Sequence, residues 1–289
     1  MPTVRRIVAA GGNNISSTLG IAGGLYKERS VRIRQSFCYP CFKTKEMSLD
    51  QLCREAAGIG LAAVELWFRG PDFDELVAAA NQHGLALASM CGHKSLTDGL
   101  NRPENHDRIE AEMRESIDIA SRLGIPGLIC FSGNRNEGQT DEEALEVCAA
   151  GLRRVAPLAE EKGINLNMEL LNSKVDHKGY QCDHTAWGVA MCRKVGSPRA
   201  KLLYDIYHMQ IMEGDIIRTI RENIDWIGHF HTAGNPERRD LDDAQELNYR
   251  AICRAIAATG YGLYVAHEFT PRGERIEGLR QAFAVCDQQ

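Results

Sequence analysis

Lys201-Leu202-Leu203-Tyr204-Asp205 is a short apolar run closed by a carboxylate, and three other runs likewise end in a carboxylate or an imidazole. Asn165-Leu166-Asn167-Met168-Glu169 precedes it; His229-Phe230-His231 and Tyr264-Val265-Ala266-His267-Glu268 follow. Apolar runs of this length suit strands of a parallel sheet, which is covered on both faces. The segments between them carry apolar residues three and four apart, the period of an amphipathic helix. Working outward, strands are predicted at 33–39, 63–67, 86–91, 127–131, 165–169, 201–205, 226–231 and 263–268.

Helix starts are marked by Ser48, by Thr140 before Asp141-Glu142-Glu143, and by Asp72 with Glu75 three residues on. Gly84, Gly124, Gly163 and Gly260 mark helix ends, where a left-handed residue closes the last turn. Eight strand-helix units of roughly 32 residues each fill residues 31–289, which predicts a single (β/α)₈ barrel, a TIM barrel in fold class. An open doubly wound sheet is the alternative, weakened by the lack of a Gly-x-Gly-x-x-Gly turn after the first strands. Residues 1–30 are set apart as an N-terminal arm. There Arg5-Arg6 precedes Ile7 to Ala10 and a Gly- and Ser-rich stretch, a faint likeness to a twin-arginine export signal.

Composition narrows the function. The chain has 289 residues, 44% hydrophobic and 25% charged, with a formal net charge of -5. That balance offers no global positive field for nucleic acid. No apolar run is long enough to span a membrane. The ten cysteines fall mostly in apolar helical stretches, which favours free thiols and a reducing, cytoplasmic setting, with export as the alternative. Cys38-Tyr39-Pro40-Cys41 has a redox or zinc spacing but no answering pair, so it is read as structural.

Charged groups are rare inside parallel strands because an unpaired buried carboxylate costs several kcal/mol. Glu169, Asp205, His231 and Glu268 end four successive strands, and in a barrel such ends converge on the mouth where active sites are built. Three carboxylates gathered there would repel one another unless a cation neutralised them. One divalent metal is therefore expected, with an oxygen-rich set and one imidazole suiting Mn²⁺ or Mg²⁺ best and Co²⁺ or Zn²⁺ as alternatives.

The motifs Met168-Glu169-Leu170-Leu171-Asn172, Tyr204-Asp205-Ile206-Tyr207-His208-Met209-Gln210, Ile227 to Pro236, Glu246-Leu247-Asn248-Tyr249 and His267-Glu268-Phe269 make the chain resemble a known family. It is similar to the xylose-isomerase-like barrels, in their hydroxypyruvate isomerase-like and ketose 3-epimerase branch. The resemblance implies that Glu169, Asp205, His231 and Glu268 bind one metal and that Glu169 and Glu268 double as acid and base. It implies an enediolate formed from a sugar or hydroxy-keto acid; a homo-oligomer is the expected assembly. At His231 the chain looks closer to the epimerases, since hydroxypyruvate isomerases often carry glutamine there.

The resemblance also implies that His208 contacts a substrate oxygen and that an arginine after Asn235-Pro236 does likewise. Arg238 is taken for that role, although the adjacent Arg239 leaves the choice open. His93 and Lys94, after the third strand, are candidate substrate contacts from their position at the mouth. Glu65 and Trp67 are read as barrel packing, with an aromatic pocket wall as the alternative. Asn172 with Lys174-Val175-Asp176-His177 reads as a lid or as a hydrated loop. Isomerisation and epimerisation share the enediolate, β-elimination from a keto-sugar is the runner-up, and an endonuclease IV-like enzyme or a non-catalytic binding subunit stands further off.

Overall fold

The computed structural model describes residues 32–288, so the expected arm over residues 1–30 lies outside the described residues. Nine parallel strands follow the order β3-β2-β1-β9-β8-β7-β6-β5-β4. They are β1 (Arg34–Cys38), β2 (Ala63–Glu65), β3 (Ala86–Leu87), β4 (Met90–Cys91), β5 (Gly127–Cys130), β6 (Asn165–Glu169), β7 (Ala200–Asp205), β8 (Ile227–Thr232) and β9 (Tyr264–His267).

The two ends of that order are consecutive pieces of one strand. β3 pairs with β2 through Ala63 and Ala86, and β4 pairs with β5 through Met90 and Leu128. Only Ala88 and Ser89 separate them. The Ala88 N–H donates to the Val64 carbonyl at 2.8 Å and the Leu66 N–H to the Ser89 carbonyl at 3.3 Å, which carries the ladder across the break. The sheet therefore closes on itself as an eight-staved barrel ringed by helices, as the strand count predicts.

Local chemistry explains several helix starts. Ser48 accepts from the Gln51 N–H, and Thr140 forms a full capping box with Glu143. Asp72 occupies its N-cap position but makes no cap bond, because its carboxylate accepts the Tyr39 hydroxyl at 2.7 Å instead. Cys38 precedes a single helical turn, Tyr39–Phe42, that contains Cys41, and both cysteines are free.

One irregularity positions the site. The register between β7 and β8 slips at Leu202, so that Leu203 opposes His229 and Gly228 is left over. A Cβ on Gly228 would overlap Asn167 Oδ1. The missing side chain lets Asn167 fill the barrel interior, and His229 and His231, two apart on β8, share one face of the strand.

Candidate active site

The C-terminal ends of β6, β7, β8 and β9 bring Glu169, Asp205, His231 and Glu268 together, with one ligand atom from each lying within 4.8 Å of the others. All four are buried. His231 Nδ1 faces the carboxylates of Glu268 at 2.7 Å, Glu169 at 3.5 Å and Asp205 at 3.8 Å. Yet Nδ1 makes no properly aligned hydrogen bond. A buried imidazole nitrogen ringed by three carboxylate oxygens without hydrogen-bond geometry is the arrangement a shared cation would organise, so the donor set fits one divalent ion.

Behind the imidazole stands Glu65, which the sequence reading assigned to packing. Its Oε1 lies 2.8 Å from His231 Nε2, and its Oε2 lies 2.7 Å from His229 Nε2. Glu65 closes β2 with a carboxylate just as the other strands close, and that strand-end position was the signal for it. Like Nδ1, this Nε2 and Glu65 Oε1 make no properly aligned hydrogen bond, so Glu65 acts on His231 by charge and raises its basicity.

Electrostatics separates the two glutamates. Burial pushes the Glu169 carboxyl up to about 7, with Glu268 and Asp205 adding to the rise and His231 opposing it. Burial acts on Glu268 in the same sense, but His231 and Arg238 outweigh it and hold that carboxyl well below the usual range. The Trp67 indole N–H donates to Glu268 Oε1 at 2.6 Å and fixes its orientation. For His231, burial lowers the affinity for a proton, but Glu268 and Glu65 reverse this and raise it well above the ordinary imidazole value.

Arg238 reaches the same centre. Its guanidinium donates to Asp205 Oδ2 at 2.8 Å and also to Glu268, and lies 2.5 Å from His208 Nε2. The neighbouring Arg239 turns away and donates to the Thr270 carbonyl at 3.2 Å, so Arg238 is the one of the two that reaches this centre. The loop sends one inward because Glu237 and Arg238 take left-handed φ values of 76° and 55°. Such values are uncommon for residues other than glycine and cluster at functional loops.

Part of this centre faces a cavity of about 510 Å³. Trp67, Phe68, Leu96, Ile129, Phe131 and Leu171 supply apolar walls; Glu169, Glu268, Arg238, His208, Asp176, His177 and Lys94 supply the polar atoms. His93 does not line it. That ring is 2% exposed, accepts the Phe131 N–H at Nε2 over 2.9 Å, and borders a smaller neighbouring cavity of about 230 Å³. Burial drives its pKa down to about 3, as suits an imidazole committed to accepting a backbone bond.

The sequence matches the family described as xylose isomerase-like TIM barrel over residues 53–289. The chain belongs to this family. A putative hydroxypyruvate isomerase from Homo sapiens is 30% identical over 237 residues, covering 78% of this chain and 85% of that protein. The hydroxypyruvate isomerase of Escherichia coli is 31% identical over 175 residues, 59% of this chain and 67% of its own length. An L-ribulose 3-epimerase structure superposes with a TM-score of 0.72 at 20% identity, over 87% of this chain and 92% of that one. As in other barrels of this fold, the family's candidate chemistry here sits at the C-terminal mouth. Among the described residues, no helix is long and apolar enough to cross a membrane.

Proposed function

We propose that the chain is a divalent-metal-dependent isomerase or epimerase that moves a proton between carbons of a small α-hydroxycarbonyl compound, a sugar or a hydroxy-keto acid. Membership of the isomerase class follows from its curated relatives, and the chain is an enzyme of that class. The observation that carries the finer reading is the convergence of Glu169, Asp205, His231 and Glu268 within 4.8 Å, with Glu169 and Glu268 lining a cavity of about 510 Å³.

Those four residues would hold the ion, with Mn²⁺ or Mg²⁺ suited to the oxygen-rich set. When bound it supplies Lewis acidity to the substrate carbonyl and so eases loss of the neighbouring proton. Glu169 and Glu268, on β6 and just after β9, remove and return that proton from two sides of the substrate. Arg238 and His208 face the same point and stabilise the oxygen on which charge develops. Lys94 at the cavity wall offers a charge for a substrate carboxylate, and the apolar walls exclude water.

Two measurements test this reading together. Elemental analysis should find one divalent ion per chain, and a metal-loaded sample should exchange the α-proton of hydroxypyruvate or of a ketose with deuterated solvent. A chain that binds no divalent ion, or a loaded chain that exchanges no such proton across a panel of both substrate types, refutes it.

A further inference from the structure

The ladder between β5 and β6 stops short of the Glu169 carbonyl. Met168 stands opposite Cys130, and the Asn165 N–H donates to the Pro126 carbonyl at 2.9 Å, so every second residue of β6 bonds across this edge. Continued, that pattern would send the Ser132 N–H to the Glu169 carbonyl. A phenol occupies the place instead. The Ser132 N–H donates to the Tyr180 hydroxyl at 3.1 Å, and the hydroxyl donates on to the Glu169 carbonyl at 3.1 Å. The roles are fixed, because a backbone N–H only donates and a carbonyl only accepts. A direct rung would measure about 2.9 Å. Here it has two legs of 3.1 Å each, and the two strand ends are held apart.

The other edge of β5 repeats the device. The Gly92 N–H donates to the Ile129 carbonyl at 2.8 Å, and the following rung would run from the Phe131 N–H to the Gly92 carbonyl. The Phe131 N–H goes to His93 Nε2 at 2.9 Å instead, and the Gly92 carbonyl accepts the Ser116 hydroxyl at 2.8 Å. Ile129 and Phe131, which line the cavity, therefore lie at a strand end held by side chains rather than by neighbouring strands. Tyr180 itself is fully buried and firmly anchored. The Gln181 N–H donates to the Gly133 carbonyl at 2.9 Å, the Arg135 N–H to the Gly179 carbonyl at 2.7 Å, and the Cys182 N–H to the Ser132 hydroxyl at 3.0 Å.

We propose that Tyr180 is a positioning residue for Glu169: its hydroxyl stands in for a rung of the sheet, holds β6 away from β5, and so sets the distance of the Glu169 carboxylate from Asp205, His231 and Glu268. The catalytic consequence rests on the isomerase reading above; the placement of Glu169 by the hydroxyl does not.

Tyr180→Phe keeps the ring and removes the hydroxyl. The Ser132 N–H and the Glu169 carbonyl, both buried, are then left to pair with each other, because unpaired backbone groups are costly away from water. Crystal structures of the wild type and the variant, both grown with Mn²⁺, read the outcome. The wild type should show the hydroxyl between the two groups. The variant should show the gap narrowed and the Glu169 carboxylate moved by about 1 Å relative to Asp205 and His231, a misplacement that costs roughly 10²-fold in rate. In α-proton exchange at saturating Mn²⁺ that loss should fall on kcat, with KM changed far less, since the phenol does not line the cavity. A wild-type structure with a direct bond between Ser132 and Glu169 overturns the proposal, whether or not the variant folds. So does a variant in which Glu169 keeps its place, whatever its activity or stability. A displaced Glu169 with unchanged exchange supports the positioning and refutes instead the part given to Glu169 in proton transfer.

Discussion

Glu169 and Glu268 share the same ring of ligands and stand in opposite electrostatic surroundings. Burial dominates at Glu169 and favours its neutral form, whereas His231, Arg238 and Trp67 hold Glu268 as a carboxylate against the same burial. Two carboxyls whose environments push their proton affinities apart form a natural acid and base pair. Glu169→Gln and Glu268→Gln each keep an oxygen for the ion and remove the titrating group. Each should lower solvent deuterium incorporation into substrate by roughly 10²–10⁴, the usual contribution of a positioned acid or base, while elemental analysis still finds bound metal. If both variants exchange at the wild-type rate with metal present, the pair is not the acid and base. Trp67→Phe tests a smaller contact, since it keeps an aromatic ring and deletes the 2.6 Å bond to Glu268. A charge-assisted hydrogen bond of about 1.5–3 kcal/mol implies a fall in rate of roughly tenfold or more, with the far-ultraviolet circular dichroism unchanged.

At the scale of elements, the strand that carries His231 depends on Gly228. A methyl group there would overlap Asn167 Oδ1 and meet Lys201 Cβ at 2.9 Å, and both neighbours belong to packed strands. Gly228→Ala should therefore destabilise by about 1–3 kcal/mol, the usual cost of overpacking. It should also weaken metal binding, because β8 cannot be displaced without moving His231. Chemical denaturation and metal titration on one sample check both, and a variant with wild-type stability and metal affinity contradicts this account of the bulge.

The strands themselves were legible because burial on both faces writes continuous apolar runs into the sequence, and all eight predicted runs fall on the barrel's staves. The interruption at Ala88 and Ser89 was not legible, since nothing in Ala86-Leu87-Ala88-Ser89-Met90-Cys91 breaks the apolar pattern. The four strand-end ligand candidates stood out for the same reason that they are costly: a charged side chain in such a run needs an explanation. Glu65 sits in the same kind of position, but no family motif in the first half drew attention to it. The choice between Arg238 and Arg239 depends on two left-handed residues, and His93 on one backbone bond to Phe131; backbone geometry of that kind leaves no periodic trace.

For the molecule as a whole, four buried carboxylates, Glu65, Glu169, Asp205 and Glu268, are gathered around a closed barrel mouth with Arg238 reaching two of them. Folding without the ion must bury this charge, so the pH dependence of stability should differ between the metal-free and the loaded protein. In the metal-free chain Glu169 has a folded pKa of about 7, above its unfolded value near 4.3. The native state then holds more protons than the unfolded state between those two values, and stability falls as pH rises through that window. His231, raised above its ordinary value near 6.5, acts in the same sense, because the stability it contributes as a cation is lost as pH climbs through its folded pKa. Metal binding reverses the sign, since the ion requires both groups deprotonated and competes with protons for them. The stabilisation given by metal should therefore grow from pH 5 to pH 8. With metal at about 100 times its dissociation constant at the higher pH, the gain is about 2.7 kcal/mol, or roughly 5–10 °C in Tm for a chain of this size. Thermal unfolding followed with saturating Mn²⁺ and with a chelator, across that pH range, measures the difference. A gap that stays constant or narrows as pH rises would mean that the ion, if it binds, is held somewhere other than the cluster of Glu169 and His231.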